Sequence, residues 1–187
     1  MLSLLALSTL LLSIVSAVSA SPAAPKRANP PSSFYLVTTS SRAPAPNGNS
    51  SALANVSAIS LFDPYYQPNY YLRQSQPGYN SLPSFTYTNG YLQTVQAGPH
   101  NFPPSQSYIA YSAGAGKELT FYPQQESATG GAGGDLNFQG GYLLATASFA
   151  NAWMLCDGAL GQRVIKYRGT DESCEQVYVQ AVAEPPY

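Results

Sequence analysis

Two cysteines, one histidine and nine acids are the side chains of this 187-residue chain that first invite chemistry. A Ser-His-Asp or Cys-His nucleophile would need His100 as its base, because no other histidine is present. That residue sits in Gly98-Pro-His-Asn-Phe-Pro-Pro104, with no Gly-x-Ser-x-Gly nearby, and reads as a solvated turn histidine. Zinc asks for three or four ligands, and the chain has no Cys-x-x-Cys, so neither a metal nor a cofactor is expected. Gly114-Ala-Gly-Lys117 resembles the end of a phosphate loop, but Tyr111 stands where the first glycine belongs and Glu118 replaces Ser/Thr, which leaves a turn. Gly130-Gly-Ala-Gly-Gly134 has no helical pattern after it to offer a phosphate an N-terminus. A glycoside hydrolase needs only two carboxylates, one of them in an apolar pocket. Asp63, Glu118, Asp135 and Asp157 are the acids with apolar or aromatic neighbours, and nothing in the sequence pairs any two of them. The chain is therefore expected to be non-catalytic, with a small polysaccharide hydrolase as the alternative.

Cys156 and Cys174 are the only cysteines, and an even count in an exported chain is read as a bridge. Closing that loop would stabilise the fold by roughly 3 kcal/mol on the chain-entropy view. Trp153, three residues before Cys156, is expected in the core, packed against the disulfide.

Tyrosine is the positive feature. Seven of the fifteen lie between Tyr65 and Tyr91, and the prolines of Asp63-Pro-Tyr-Tyr-Gln-Pro-Asn-Tyr-Tyr71 obstruct continuous strand pairing. Tyr65, Tyr66, Tyr70 and Tyr71 are accordingly expected near the surface, where a flat ring with a hydroxyl suits a sugar or another protein. The competing reading is that these rings pack against the fold and cover its open end.

The chain's address is legible too. From Leu2 to Val18 there is no charge, and the small residues Ser16-Ala-Val-Ser-Ala20 follow the apolar run, so residues 1–20 read as a secretory signal cut after Ala20. Residues 21–32 form a Pro/Ala-rich segment that carries Lys26-Arg27, either a dibasic processing site cut after Arg27 or an exposed pair in a flexible tail. Residues 33–187 then make one domain. The C-terminal Glu184-Pro-Pro-Tyr187 lacks the apolar tail of a glycolipid anchor signal, so no membrane association is expected after signal removal. Asn49-Ser-Ser51 and Asn55-Val-Ser57 are N-glycosylation sequons in a stretch of Pro, Gly and Asn that reads as an exposed loop. Charged residues make up 9% of the chain, against roughly 25% in ordinary soluble domains, and the net charge is -1. With no basic face, nucleic acid is excluded as a partner.

The elements that must position these residues are strands. No apolar pattern at i, i+3, i+4, i+7 is sustained after Ala28, while short β-branched and aromatic runs recur between Gly, Pro and Asn clusters. Strands are expected at Phe34 to Thr39, Tyr70 to Arg73, Phe85 to Thr88, Tyr91 to Val95, Tyr108 to Ser112, Glu118 to Tyr122, Leu136 to Gln139, Tyr142 to Thr146, Trp153 to Asp157, Arg163 to Tyr167 and Gln176 to Val182. Phe85-Thr-Tyr-Thr-Asn-Gly-Tyr-Leu92 and Leu136-Asn-Phe-Gln-Gly-Gly-Tyr-Leu143 align without a gap as type I′ hairpins, read as two separate uses of one turn chemistry rather than an internal repeat. The fold class is all-β: a single compact β-barrel or two-sheet β-sandwich with long loops, with a β-trefoil kept open.

The series Asn55-Val-Ser-Ala-Ile-Ser-Leu-Phe-Asp-Pro-Tyr-Tyr-Gln-Pro-Asn-Tyr70, Gly141-Tyr-Leu-Leu144, Ala152-Trp-Met-Leu-Cys156 and Cys174-Glu-Gln-Val-Tyr-Val179 resembles a family of small secreted fungal proteins of unknown function, over Ser33 to Val182. More remotely, the closing order of tryptophan, cysteine, strand, cysteine and strand is similar to the fungal phialide cell-wall proteins. The resemblance implies a secreted, wall-associated fungal protein and supplies no catalytic residue. The expected function is a non-catalytic extracellular protein of the cell wall or surface, contacting polysaccharide or another extracellular protein through Tyr65 to Tyr71; the sequence leaves its oligomeric state open.

Overall fold

Period-2 alternation builds the molecule, and the computed structural model describes it for residues 29–45, 53–60, 69–78, 81–96, 106–110, 114–124 and 135–187. The strands are β1 (Phe34–Thr39), β2 (Ala54–Ile59), β3 (Tyr70–Gln74), β4 (Ser81–Leu82), β5 (Ser84–Thr88), β6 (Tyr91–Gln96), β7 (Gln106–Ala110), β8 (Thr120–Pro123), β9 (Leu136–Gln139), β10 (Leu143–Thr146), β11 (Trp153–Asp157), β12 (Arg163–Tyr167) and β13 (Glu175–Val182). No α-helix occurs among the described residues.

Every strand pairing is antiparallel, and following the ladders from β1 through β5, β6, β7, β8, β3, β12, β11 and β13 leads back to β1. The sheet is thus a closed barrel, which removes the unpaired edges that short strands would otherwise expose. β2 pairs with β1 on one edge and β3 on the other, so the wall also closes by a shorter route, β1–β2–β3–β12–β11–β13. Both β2 and the two-residue β4 were absent from the strands expected from sequence. The three matched hairpins of a trefoil do not appear among the described residues.

Closure decides which side chains are inside. Phe34 and Leu36 of β1, Val56 and Ala58 of β2, Leu72 of β3, and Trp153 and Leu155 of β11 alternate into one buried cluster. Burying each such side chain contributes about 2 kcal/mol. Trp153 is fully buried, and its indole Nε1 donates to Leu144 O at 2.9 Å. It does not pack on the disulfide as expected: Trp153 and Leu155 point into the barrel, so Cys156, an odd number of residues along the strand, takes the other face.

The two glycine hairpins carry different registers. Thr88 pairs directly with Tyr91, so Asn89 and Gly90, with φ of 53° and 85°, form a two-residue loop. In the other, Gly140 and Gly141 also have positive φ, but Gln139 pairs with Leu143 and Tyr142 is the extra residue. One residue of slip exchanges the faces of a strand, so the aligned sequences are two uses of one turn. The β9–β10 hairpin packs on the core through Phe138, whose ring centroid lies 5.2 Å from both Phe34 and Tyr87.

Outside the barrel wall a second, smaller layer forms. Leu143, Ala145 and Ala150 are buried there with Tyr142 and Tyr178 packed against them. The segment Ser40–Ala45 lies beside this layer as a strap, tied down by the amide of Gln180.

Candidate binding groove and the placement of the expected residues

The cysteines meet as expected. Cys156 and Cys174 form a disulfide with an S–S distance of 2.00 Å, joining the end of β11 to the turn before β13. Asp171 lies beside the two sulfurs, but a disulfide has no thiolate to offer a metal, and the Asp171 carboxylate is held by Lys166. No helix of the described residues is long and apolar enough to cross a membrane.

Several other expected positions are corrected. The stretch around Asn55 is not an exposed loop: it is the second residue of β2, opposite Val37, and Asn55 is 2% exposed. Its Nδ2 donates to Ser75 O at 3.0 Å, and its Oδ1 is buried with no hydrogen-bond partner among the described residues. Tyr70 is not at the surface either, since closure of the ring turns it inward as the first residue of β3. It is 1% exposed and packs edge-on against Tyr108 with centroids 4.7 Å apart. Burial raises the pKa of the Tyr70 phenol well above its ordinary value, with smaller contributions from Tyr108, and burial raises that of Tyr108 as well. Tyr71 is half-buried, and the Arg73 guanidinium lies 5.5 Å from its ring centroid. Tyr65, Tyr66, Asp63, His100, Asn49, Ala20 and Arg27 lie outside the described residues.

The remaining acids are engaged separately. Glu118 accepts from Nε and Nη2 of the buried Arg73, both at 2.9 Å, so its two oxygens are occupied by one guanidinium. Asp157 accepts from Arg163 Nη1 at 2.6 Å at the exposed end of β11. Asp135 is exposed beside β9. The Gly114–Lys117 segment is a turn, as expected, held to β12 by Gly116 N donating to Tyr167 O at 2.7 Å.

An open groove of about 460 Å³ lies where the strap crosses the β9–β10 hairpin. Phe138 and Leu143 lie at its floor with their side chains buried, while Arg42, Asn137, Gln139, Tyr142 and Ser148 supply polar groups. Alternation along β9 explains the amides: Leu136 and Phe138 face the core, so Asn137 and Gln139 face out. A chain of hydrogen bonds fixes these groups. Arg42 Nη2 donates to Gln139 Oε1 at 3.1 Å, Gln139 Nε2 donates to Ser148 O, and Tyr142 Oη donates to Arg42 O at 3.1 Å. Ala147 and Ser148 form a tight turn with φ of 54° and 114°, a region that side chains beyond glycine rarely enter. Gly140 suits the rim, because its φ of 62° strains other residues and a Cβ there would sit 3.0 Å from the Tyr142 ring, which would have to shift.

Sequence reasoning missed this groove. Its residues come from two stretches far apart in the chain, Arg42 and residues 137–148, and no local motif marks the strap as a neighbour of the hairpin. The one available signal was Asn137 and Gln139 alternating with apolar residues before Gly140-Gly141. Comparison of the chain with protein-family models, with curated proteins and with solved structures gives no match.

Proposed function

We propose that this chain is a non-catalytic secreted protein, associated with a fungal cell wall or surface, that contacts polysaccharide through the groove between the strap and the β9–β10 hairpin. The observation that carries the reading is the groove's chemistry: a half-buried tyrosine beside two planar amides and an arginine, with no carboxylate among the described residues of its lining. Aromatic rings stack on the apolar faces of sugars, and amides and guanidinium groups donate to and accept from ring hydroxyls. Hydrolysis by two carboxylates finds less support, since Glu118 and Asp157 are each held by an arginine. Secretion is supported by the apolar N-terminal run and by the disulfide, which suits an oxidising compartment. Association with a wall rests on the resemblance to small secreted fungal proteins.

The test is sedimentation of the secreted protein with insoluble chitin, β-1,3-glucan and cellulose. Retention on at least one polymer is expected, with Tyr142→Ala reducing it and joint replacement of Tyr65, Tyr66 and Tyr71 reporting on the aromatic segment. Failure to bind any polymer would sink the polysaccharide reading and turn attention to a protein partner.

A further inference from the structure

The described cations divide by partner. Arg73, Arg163 and Lys166 each hold a carboxylate, whereas Arg42, Lys117 and Arg168 have none within salt-bridge distance among the described residues, and of these three Arg42 is the one that lines the groove. Its one side-chain bond is to the neutral Gln139 Oε1, so its charge and its remaining N–H donors stand uncompensated at the groove. Asp135, exposed just before β9, does not line the groove.

Arg42 is also held unusually firmly for an exposed residue. The amide nitrogen of the fully buried Gln180 donates to the carbonyls on both sides of it, Ser41 O at 2.9 Å and Ala43 O at 3.0 Å. Tyr142 Oη fixes the carbonyl of Arg42 itself. The strap therefore presents the guanidinium from a backbone ordered before any ligand arrives, which lowers the entropic penalty of binding.

We infer that the groove takes an acidic sugar, a saccharide unit whose ring carboxylate is received by Arg42 while its hydroxyls meet Asn137, Gln139 and Ser148 and its ring lies against Tyr142. A planar guanidinium matches a carboxylate through two parallel hydrogen bonds, whereas a phosphate would draw on several cations and this groove has one among the described residues. The inference rests on the polysaccharide reading above and narrows its ligand class to uronic-acid-bearing chains.

The test is titration of the secreted protein, followed by calorimetry and by NMR, with a galacturonate oligosaccharide and with the same oligosaccharide after carboxyl reduction. The acidic form is expected to bind roughly tenfold tighter at low salt, the size of one charge-assisted hydrogen-bonded contact. Arg42→Gln erases that difference, and Arg42→Lys restores only part of it because the fork is lost. Equal affinity for the two forms, or a preference that survives Arg42→Gln, would overturn the acidic-sugar assignment. Binding of the neutral form alone, abolished by Tyr142→Ala, would overturn it while leaving the polysaccharide reading standing. No binding of either form, together with no retention on insoluble polymers, would overturn both.

Discussion

Gln180 and Thr39 are joined across the outer face of the barrel by a hydrogen bond of 2.8 Å from the Gln180 amide nitrogen to Thr39 Oγ1, made where Gln180 has no solvent exposure. The same nitrogen shares its two N–H groups with Ser41 O and Ala43 O as well, and Gln180 Oε1 accepts from Ala45 N at 2.8 Å. One buried amide thus does for the strap what a strand ladder does elsewhere. Gln180→Leu keeps the bulk and removes all four contacts. Solvent can re-satisfy the exposed part of the strap, so the expected destabilisation is about 2 to 3 kcal/mol. The distinctive readout is limited trypsin digestion: the variant should be cut after Arg42 much faster than the parent, and equal rates would show that Gln180 does not hold the strap.

A second buried polar group is held by charge. Arg73 is 5% exposed, and its guanidinium is shared between both oxygens of Glu118 and Gln162 Oε1. Removing the acid leaves a cation in the barrel wall with a single neutral acceptor. Glu118→Leu alone should therefore destabilise by about 3 kcal/mol, while Arg73→Met combined with Glu118→Leu should recover much of that loss, because the desolvation penalty leaves with the pair. Urea unfolding of the two singles and the double supplies the cycle. Additive effects would mean that the pair is not coupled.

Alkaline pH should find the Tyr70–Tyr108 contact. Burial raises both phenols, so in the folded state they stay protonated where the unfolded chain ionises. The unfolded state then binds fewer protons than the native state once the pH passes the ordinary tyrosine value near 10, and stability falls as pH rises. Each such phenol can steepen that fall by at most about 1.4 kcal/mol per pH unit. Tyr70→Phe should flatten the decline of Tm between roughly pH 10 and pH 12 relative to the parent. An unchanged slope would place the alkaline sensitivity in other groups.

Sequence alone located these strands better than it located their surroundings. Eleven of the thirteen have counterparts in the alternating runs, because a β-branched or aromatic residue at every second position is a local signal. β2 carries that signal too, with Val56 and Ala58 inside and Asn55 and Ser57 on the other face. It is hidden by the preceding Pro/Gly/Asn stretch and by a sequon that reads as exposure. Tyr70 illustrates the limit in the opposite sense: Pro64 and Pro68 argue for an irregular surface segment, yet two residues later the chain enters the barrel. Burial on both faces of β1 and β2 is set by what covers the outer wall, which pairing of distant segments decides and no window of sequence contains. For the same reason the groove, assembled from residue 42 and residues 137–148, was illegible although each of its parts was on view.

The burial of Asn55 has a consequence for modification. Its Nδ2, the atom that would carry a glycan, donates to Ser75 O inside the wall, and Ser57 is fully buried. A glycan there cannot coexist with the β1–β2–β3 pairing, so molecules that fold should be unmodified at Asn55. Peptide mapping of the secreted protein should find any N-glycan of this pair on Asn49 only, and Asn49→Gln should remove the associated mass shift. Asn55→Gln should leave the mass shift in place and lower stability by about 1 to 2 kcal/mol through loss of the Ser75 contact and overpacking. Glycopeptides carrying Asn55 in folded material would contradict the placement of β2.

Gly169 ties the disulfide to the turn before β13. A Cβ built on it would lie 2.9 Å from the Sγ atoms of both Cys156 and Cys174 and 3.3 Å from Lys166 Cβ. Neither sulfur can retreat, since Cys156 is fully buried in β11 and Cys174 is bonded to it. Gly169→Ala should therefore force the turn away from the bridge and destabilise the oxidised protein by about 1 to 3 kcal/mol. The clash depends on the bridge being closed. In a background where both cysteines are replaced by Ala, itself about 3 kcal/mol less stable than the parent, the sulfur atoms are gone and Gly169→Ala should be close to neutral. Thermal unfolding of the four proteins tests this directly, and an equal penalty in both backgrounds would mean that the glycine is needed for its backbone rather than for the space beside the sulfurs.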